Sequence, residues 1–538
     1  MTVPRQGGAP TGSTSQRTAG TSSVSAPTAD SDDAAVAALG YAQRLDRSLS
    51  HFALFALQFS YMSVVATWFL LFGFGYALTG PSLLWSWAAF FVGQMFVALI
   101  FCELASHYPV AGSVYNWSKQ LTTGWTAWMA GWMVVLLAPI TLVADALPAQ
   151  AILPALSPSF QLVGSGTNLV NVAENTALLG SIVVLASTLI NSLRVRTLGR
   201  WNNVTVLAEF GVAVLVIALL FGHSRRSPAV LFNTLGTGHG QMLGYFGAFL
   251  VASLIGGFQF YGFDTASSLA EETRAPHIRA PRAIINAMVG SFVLGALLVI
   301  AAVVAIPSLT DSNVGTLGLP YVVNKVLGTG LGDVLLAGAF VAIFGACLAV
   351  QAAGARTMFG MARDHQLPFA RQTAHVSRRA RAIVWPTLVV GLFAIALLLV
   401  NIKSTQIIPI ISSAAIATAQ IAYLFVTVPL LAARSTGNWP PKKALGKRFS
   451  LGRLGLPMNV LAVVWGIAST INLLWPRKSL FNPVPPFHWY LQYGPLLYIV
   501  AVVGIGSLYY ARYAKSNRSI LPEHRRPDSA DASENPAG

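Results

Sequence analysis

The sequence predicts an all-α integral membrane protein of about twelve transmembrane helices, built as two inverted repeats of five helices with two more added. Three observations predict it. The chain of 538 residues is 54% apolar and only 10% charged, against about 25% charged in ordinary soluble domains. Apolar runs of about 20 residues, enough to cross a bilayer, recur along nearly its whole length. Two of the runs, the first and the sixth, are broken in their middles by small or polar residues. They are five spans apart, so they cross the membrane in opposite directions, as matching helices of an inverted repeat must.

The elements follow in order. Residues 1–45 are rich in Ser, Thr, Ala and Gly, with no apolar run after the start. Such a segment cannot bury enough apolar surface to fold, and a disordered cytoplasmic tail is expected there. Span one runs over about 52–78, with Ser60, Ser63, Ala66 and Thr67 interrupting it. Gly80–Pro81 turns it into span two, about 83–107. An amphipathic connector, Ala111–Leu121, leads to span three at about 124–150, and spans four and five lie near 176–195 and 201–222. Between spans three and four, Gly164–Thr167 reads GSGT, a weak glycine-rich match with no strand–helix context for a phosphate loop. Span six covers about 243–269, span seven 283–307, and a polar loop from Ser308 to Gly330 precedes span eight at about 333–360. Spans nine to twelve lie near 383–401, 405–432, 457–475 and 490–511. The expected core is 46–435, with repeats at about 46–222 and 243–435; helices eleven and twelve (454–513) stand outside it, and 514–538 forms a cytoplasmic tail.

The net charge of +16 follows from topology. If the N-terminus is inside, only Arg225, Arg226, Lys325, Lys403, Arg477 and Lys478 of the 34 Lys and Arg fall outside. That asymmetry places both termini in the cytoplasm, in a cell (inner or plasma) membrane. The basic residues sit in short links between spans and form no compact surface for nucleic acid. Cys102 and Cys347 both lie in apolar runs and are expected as small buried hydrophobes. Trp439, Trp475, Trp489 and Tyr490, near span ends, are expected in the interfacial belt.

The chain is organised around Gly256–Ile284, GGFQFYGFDTASSLAEETRAPHIRAPRAI. An apolar run long enough to span meets Tyr261, Gly262, Phe263 and Asp264 in its middle. A carboxylate there is costly unless it faces a cavity or a partner, and backbone unwinds at membrane depth only where it lines one. In inverted-repeat folds the matching broken helices build the substrate site. The candidates are therefore Ser63, Val64, Ala66 and Thr67 at the first break and Phe258, Tyr261, Gly262, Phe263 and Asp264 at the second. Where span one unwinds, the following half-helix is expected to present unpaired N–H groups and a positive dipole end, suited to a carboxylate. Free carbonyls at the second break suit an ammonium. Asp264 has three readings: contact with that ammonium, uptake of a coupling proton, or capping of its own helix. Asp145, late in span three beside Pro148, reads as an interfacial carboxylate. Trp68, Phe258, Phe260, Tyr261 and Phe263 either line the pocket, where a cationic amine would gain from their faces, or serve ordinary packing.

Four stretches carry a family resemblance over about residues 45–510: FGFGYALTGPSLLWSW (Phe72–Trp87), ELASHYPVAGSVYNWSKQL (Glu103–Leu121), YGFDTASSLAEETRAPHIRAPRAI (Tyr261–Ile284) and ARTMFGMARDHQLPF (Ala355–Phe369). Together they resemble the amino acid–polyamine–organocation permeases, in the branch of amino acid/choline/GABA permeases. The resemblance implies a LeuT-like fold and secondary-active transport of an amino acid, GABA or a related amine. A choline or polyamine permease and a transporter-like nutrient sensor are the alternatives. It implies no cofactor, and it leaves the coupling ion, proton or sodium, and the oligomeric state open. Relatives carry glycine in the first break, where Ala66 and Thr67 stand here. Some carry a lysine in span five, where Glu209 is the one ionisable group of this chain's span. The pattern also implies a gate or fold-anchoring role for Glu103, Glu271 and Glu272, paired with arginines such as Arg274 or Arg363.

Other classes fit poorly. The nine histidines stand in loops or at span ends without metal-ligand spacing, which argues against a membrane enzyme. No repeated filter suggests a channel. The short link between spans six and seven argues against carriers made of two six-helix halves.

Overall fold

The computed structural model describes residue 45 and residues 47–516, apart from 194, 240, 378–381, 401, 403–406, 442–447 and 483–486. The tails expected at 1–45 and 514–538 lie almost wholly outside the described residues, as do Lys403, Arg378, Arg379, Arg381, Lys442, Lys443 and Lys447.

Among the described residues the protein is all helix, with one isolated bridge between Leu49 and Thr273. Among the described residues, nine helical runs are long and apolar enough to cross a membrane. One of them, His51–His107, doubles back through a single 3₁₀ turn at Gly80–Ser82 and so holds two crossings. Two shorter apolar helices, Gly244–Gln259 and Val384–Val400, complete the twelve. Spans one to three, seven, eight and ten bury most of their surface, whereas spans four, five, eleven and twelve turn apolar side chains such as Leu185, Val214, Ile471 and Ile505 outward. A helix that is apolar on its outer face suits lipid contact, so the second group forms the rim. Cys102 and Cys347 are buried in the core.

Span one consists of His51–Tyr61 and Val64–Thr79, interrupted at Met62–Ser63. Span six runs through Gly244–Ala252 and Leu254–Gln259, leaves the helix from Phe260 to Asp264, and resumes briefly at Thr265–Ser268. Both breaks fall where the small and polar residues put them. Gly262 takes φ +71°, and a Cβ there would lie 1.8 Å from the Tyr61 ring; only glycine fits both the backbone and the neighbour.

Three expectations are corrected. The stretch from Ser308 to Gly330 is not a plain loop: it holds the helix Ser312–Leu327, kinked at Gly318. Its polar, glycine-bearing sequence hides it from hydropathy. It forms because the Gly318 backbone lies directly against Gly73 of span one, an approach that any side chain at either position would block. Trp439 is buried against His107 and Tyr108 with Arg434 over its ring, whereas Trp475, Trp489 and Tyr490 are exposed. Asp145 is no interfacial carboxylate: it is 4% exposed, inside the bundle on Gly124–Ala146. Hydropathy fixes how deep a residue sits along a helix, not which way it faces.

Candidate functional site

The two breaks lie against each other. Gln58, in the first half of span one, reaches across: its amide nitrogen donates to the Gly262 carbonyl at 3.4 Å, and its oxygen accepts from the Ala266 N–H at 2.7 Å. It thereby fills backbone groups that the break in span six leaves open. Tyr61 stands edge-on to Tyr261, with ring centres 5.9 Å apart, and Phe258 makes a second edge contact with Tyr261. The Tyr261 hydroxyl meets Thr141 of span three at 3.0 Å.

At the break in span one the expected free N–H groups are taken. Ser63 leaves the helical conformation, and its hydroxyl oxygen accepts from the Ala66 N–H at 3.1 Å. The same hydroxyl donates to Glu209 Oε1 at 2.7 Å, which also accepts from the Val65 N–H at 3.3 Å. The positive end of the half-helix thus faces a carboxylate supplied by span five of the protein itself. The Thr67 hydroxyl donates to the Ser63 carbonyl at 2.9 Å, and Val64 and Ala66 are buried. As the one ionisable group of span five, Glu209 was the signal that could have found this contact.

At the break in span six, Asp264 stands at the N-cap of the short helix Thr265–Ser268 without a side-chain cap bond, which removes the capping reading. Its carboxylate accepts instead from the Ser113 hydroxyl at 2.5 Å and from the Tyr423 hydroxyl at 3.0 Å. Tyr423 in turn accepts from the Gly262 N–H at 2.7 Å, and Ser113 accepts from Ser268 at 2.9 Å. The Gly262 carbonyl, expected to be free, also accepts from the Thr265 hydroxyl at 2.7 Å. Phe263 turns away to pack on Phe101 and Tyr423, Phe260 packs on Trp87 and Phe91, and Trp68 packs on Trp87 and Phe72. Of the aromatic candidates, Tyr261 and Phe258 remain at the junction, joined by Tyr61, which the sequence did not single out.

The face on which the chain enters span one, here the near face, is sealed by four buried ion pairs. Arg363 clasps Glu271 with two bonds of 3.0 Å, and Glu271 also accepts from the Ala111 N–H at 3.1 Å. Arg356 clasps Glu272 at 2.8 and 3.0 Å. Lys119 meets Asp364 at 2.5 Å, and the Tyr115 hydroxyl adds a bond of 2.8 Å to the same oxygen. Arg434 pairs with Glu103, which accepts from Ser450 as well. Glu271 and Glu272 are therefore joined to span eight and Glu103 to span ten. The expected partner Arg274 is exposed and stands outside the set. Arg356, Lys119 and Asp364 were missed. Asp364 sits in the Arg-Asp-His run that closes span eight, and nothing local marks it as the partner of a lysine 245 residues away.

On the opposite, far face a cavity of about 320 Å³ lies beside the second half of span one. It is lined by Leu70, Leu71 and Phe74, by Leu254 of span six and by Ser412, Ser413 and Ile416 of span ten. The breaks are thus closed off on one side, with a pocket on the other.

The family model for amino acid permease matches residues 49–503. The chain is similar to the protein named amino-acid permease BAT1 of Arabidopsis thaliana, 28% identical with 89% of this chain and 93% of that protein covered. It is also similar to two proteins of Bacillus subtilis (strain 168). One, the branched-chain amino acid permease BcaP, is 27% identical over 57% of this chain and 65% of its own. The other, a methylthioribose transporter, is 27% identical over 54% and 61%.

Proposed function

The chain belongs to the amino acid permease family, and from that premise we propose that it carries an amino acid, GABA or a related amine across the cytoplasmic membrane by alternating access. Membership makes it a multi-pass membrane transporter of small amino acid substrates and not an enzyme. The names of relatives range from branched-chain amino acids to methylthioribose, so the cargo has to be read from this chain's own site.

The observation that carries the reading is the asymmetry around two touching helix breaks: four buried ion pairs on the near face and a cavity on the far face. A carrier needs a site that opens to one side at a time, with broken helices meeting at mid-membrane. On this reading the near face is cytoplasmic, which agrees with the charge asymmetry of the links. Substrate sits between Ser63–Thr67 and Phe258–Asp264. The groups offered there favour an amine. The N–H donors at the first break are engaged by Glu209 and Ser63, while Asp264 and the faces of Tyr61 and Tyr261 present negative charge and π-surface. Glu103, Glu271 and Glu272 act as the gate on the cytoplasmic side. Driven transport uses a coupling ion or exchange.

The test is uptake into proteoliposomes holding the purified full-length protein, with labelled neutral and cationic amino acids, GABA, choline and putrescine. Imposed pH and sodium gradients are applied in turn. The reading expects saturable uptake of at least one amino acid or amine. Binding of a panel member in a thermal-shift assay, with no flux of any under any gradient, would favour a sensor and overturn it.

A further inference from the structure

A second cavity opens on the far face, about 910 Å³ in volume, where the start of span six meets the end of span eleven. Span six enters the membrane at Gly244 and span eleven leaves it at Leu474. The mouth of the cavity belongs to the links outside these helices, with Gln241 before span six and Arg477 and Lys478 after span eleven. Its floor is formed by Leu250, Ala468 and Ile471, about one to two helical turns inside the spans. The cavity is thus cationic at the top and apolar below.

No acid balances the two cations. Arg477 gives two of its five N–H donors to Asn472, at 2.5 Å to the carbonyl and 2.6 Å to the side-chain oxygen. Lys478 Nζ stands 3.8 Å from the centre of the Phe487 ring. Neither pairs with a carboxylate among the described residues. The sequence gives the reason: the links at 223–243 and 475–493 contain no Asp or Glu. Links on the outer face of a membrane protein are ordinarily poor in Lys and Arg. An adjacent pair there, in a cavity and without counter-charge, is a place for an anion.

The chemistry of the walls identifies the anion. A guanidinium beside an ammonium suits a phosphate, which takes paired bonds from arginine and a point charge from lysine. A soluble anion gains nothing from an apolar floor, whereas an amphiphile fills both halves of the cavity. Span eleven belongs to the rim, and its Ile471 is 56% exposed, so lipid has access from the side. Trp475, which also lines the cavity, stands just past the end of span eleven, at the depth where lipid head groups meet interfacial tryptophans. Lys and Arg gathered at helix ends attract anionic lipid. We propose that this cavity binds an anionic phospholipid, its phosphate on Arg477 and Lys478 and an acyl chain along Leu250 and Ile471. The lipid bears on span six through Asn472, whose oxygens hold Arg477 and whose amide nitrogen donates to the Leu250 carbonyl at 2.9 Å. Bound there, it braces the first half of span six against span eleven. Such binding needs the membrane setting and no particular substrate.

In the test, purified full-length protein in neutral detergent is titrated with phosphatidylglycerol and with phosphatidylcholine, and bound lipid is counted by native mass spectrometry. Wild type holds one phosphatidylglycerol at least tenfold more tightly than phosphatidylcholine, and phosphatidylglycerol raises its unfolding midpoint further. The double variant Arg477→Gln/Lys478→Gln loses that preference. Lys325→Gln, which removes a far-face cation outside the cavity, keeps it. Ile471→Trp fills the floor, leaves both cations in place and weakens phosphatidylglycerol at least tenfold. Should the double variant fail to fold, Ile471→Trp decides alone. Equal binding of the two lipids by wild type overturns the site, as does a preference that survives in the double variant. Loss of the preference in Lys325→Gln as well reduces it to general surface charge and overturns it equally. Full affinity in Ile471→Trp also overturns it, the occupant then being a free anion, as displacement by inorganic phosphate would show.

Discussion

Replacing Glu271 by glutamine tests whether the near-face ion pairs are a gate. Glu271 holds Arg363 through two bonds of 3.0 Å and accepts the Ala111 N–H at 3.1 Å. Glutamine keeps an acceptor for Ala111 but loses the charge, leaving Arg363 buried opposite a neutral amide. Charge-assisted bonds are worth about 1.5–3 kcal/mol each, and removing one partner of a buried pair costs about 3–5 kcal/mol. If the pair exists only while the near face is closed, that loss falls on the closed state alone. At tenfold per 1.4 kcal/mol, a loss of about 3 kcal/mol shifts the equilibrium about a hundredfold toward opening. Two cysteine reporters read the shift by maleimide labelling, against a background in which Cys102 and Cys347 are fully buried. Ser267→Cys probes the near face, where Ser267 is 1% exposed, and Ser412→Cys probes the far-face cavity. The expected result in Glu271→Gln is labelling at 267 faster by about a hundredfold and slower labelling at 412. Unchanged labelling at 267 refutes the gate. Faster labelling at both sites, with a lower unfolding temperature, makes the pair a fold anchor instead.

Further outcomes follow from single contacts. Gln58→Leu strands the Gly262 carbonyl and the Ala266 N–H in the core; at about 1–3 kcal/mol for each unsatisfied group, thermal unfolding in detergent should show a clear fall in midpoint, and an unchanged midpoint would show that the bridge is dispensable. Gly262→Ala forces a Cβ into the Tyr61 ring at a φ of +71°, so transport should fall at least tenfold even where the protein is recovered folded; wild-type uptake would refute the close approach. Asp264→Asn removes the charge held by Ser113 and Tyr423 and should lower amine uptake at least tenfold; full uptake with an unaltered pH profile takes Asp264 out of the site. Asp311, in the far-face link, accepts from the Tyr321 hydroxyl at 2.7 Å, which with the Asn313 N–H holds its carboxyl below the usual range. Its support is complete above about pH 4 and fades as pH falls through the lowered value. Tyr321→Phe should therefore unfold slightly earlier than wild type at pH 7 and converge with it in acid, as thermal melts across pH would show.

What the sequence discloses and what it withholds divide along physical lines. Span number and the two breaks are local properties: an apolar run declares its length, and glycine with a carboxylate at mid-run declares an interruption. The pairing of Glu271 with Arg363 was within reach because both close a near-face helix end. Glu272 was expected, like Glu271, to pair with an arginine such as Arg274 or Arg363; its true partner, Arg356, lies 84 residues on, and only the packing of span eight brings it in. Asp145 was placed by depth alone, and depth carries no azimuth. Gln58 was overlooked because a glutamine one turn before a break resembles any polar interruption until the facing carbonyl is known.

Span one is held differently on the two sides of its break. Its first half is tied to span six and to the link that follows: Gln58 binds Gly262 and Ala266, and at the near face the Leu49 N–H donates to the Glu272 carbonyl at 3.1 Å. Its second half packs on span six where Gly75 lies against Ile255, and adds further ties: Val65 on Glu209 of span five, Gly73 against Gly318, and the Tyr76 hydroxyl on the Leu309 carbonyl at 3.0 Å. A continuous helix would transmit any tilt of one half to the other through its backbone bonds. At Met62–Ser63 those bonds are replaced by side-chain contacts from Ser63 and Glu209. Side-chain contacts can lengthen or exchange without unwinding a further turn. The break is therefore where the angle between the two halves can change, with span five touching both, stacked on the first through Phe59 and Phe210 and holding the second through Glu209. Hinges of this kind need few residues, provided each can absorb a change in φ and ψ. With φ −38° and ψ 116° at its serine, already outside the helical region, this junction meets that requirement.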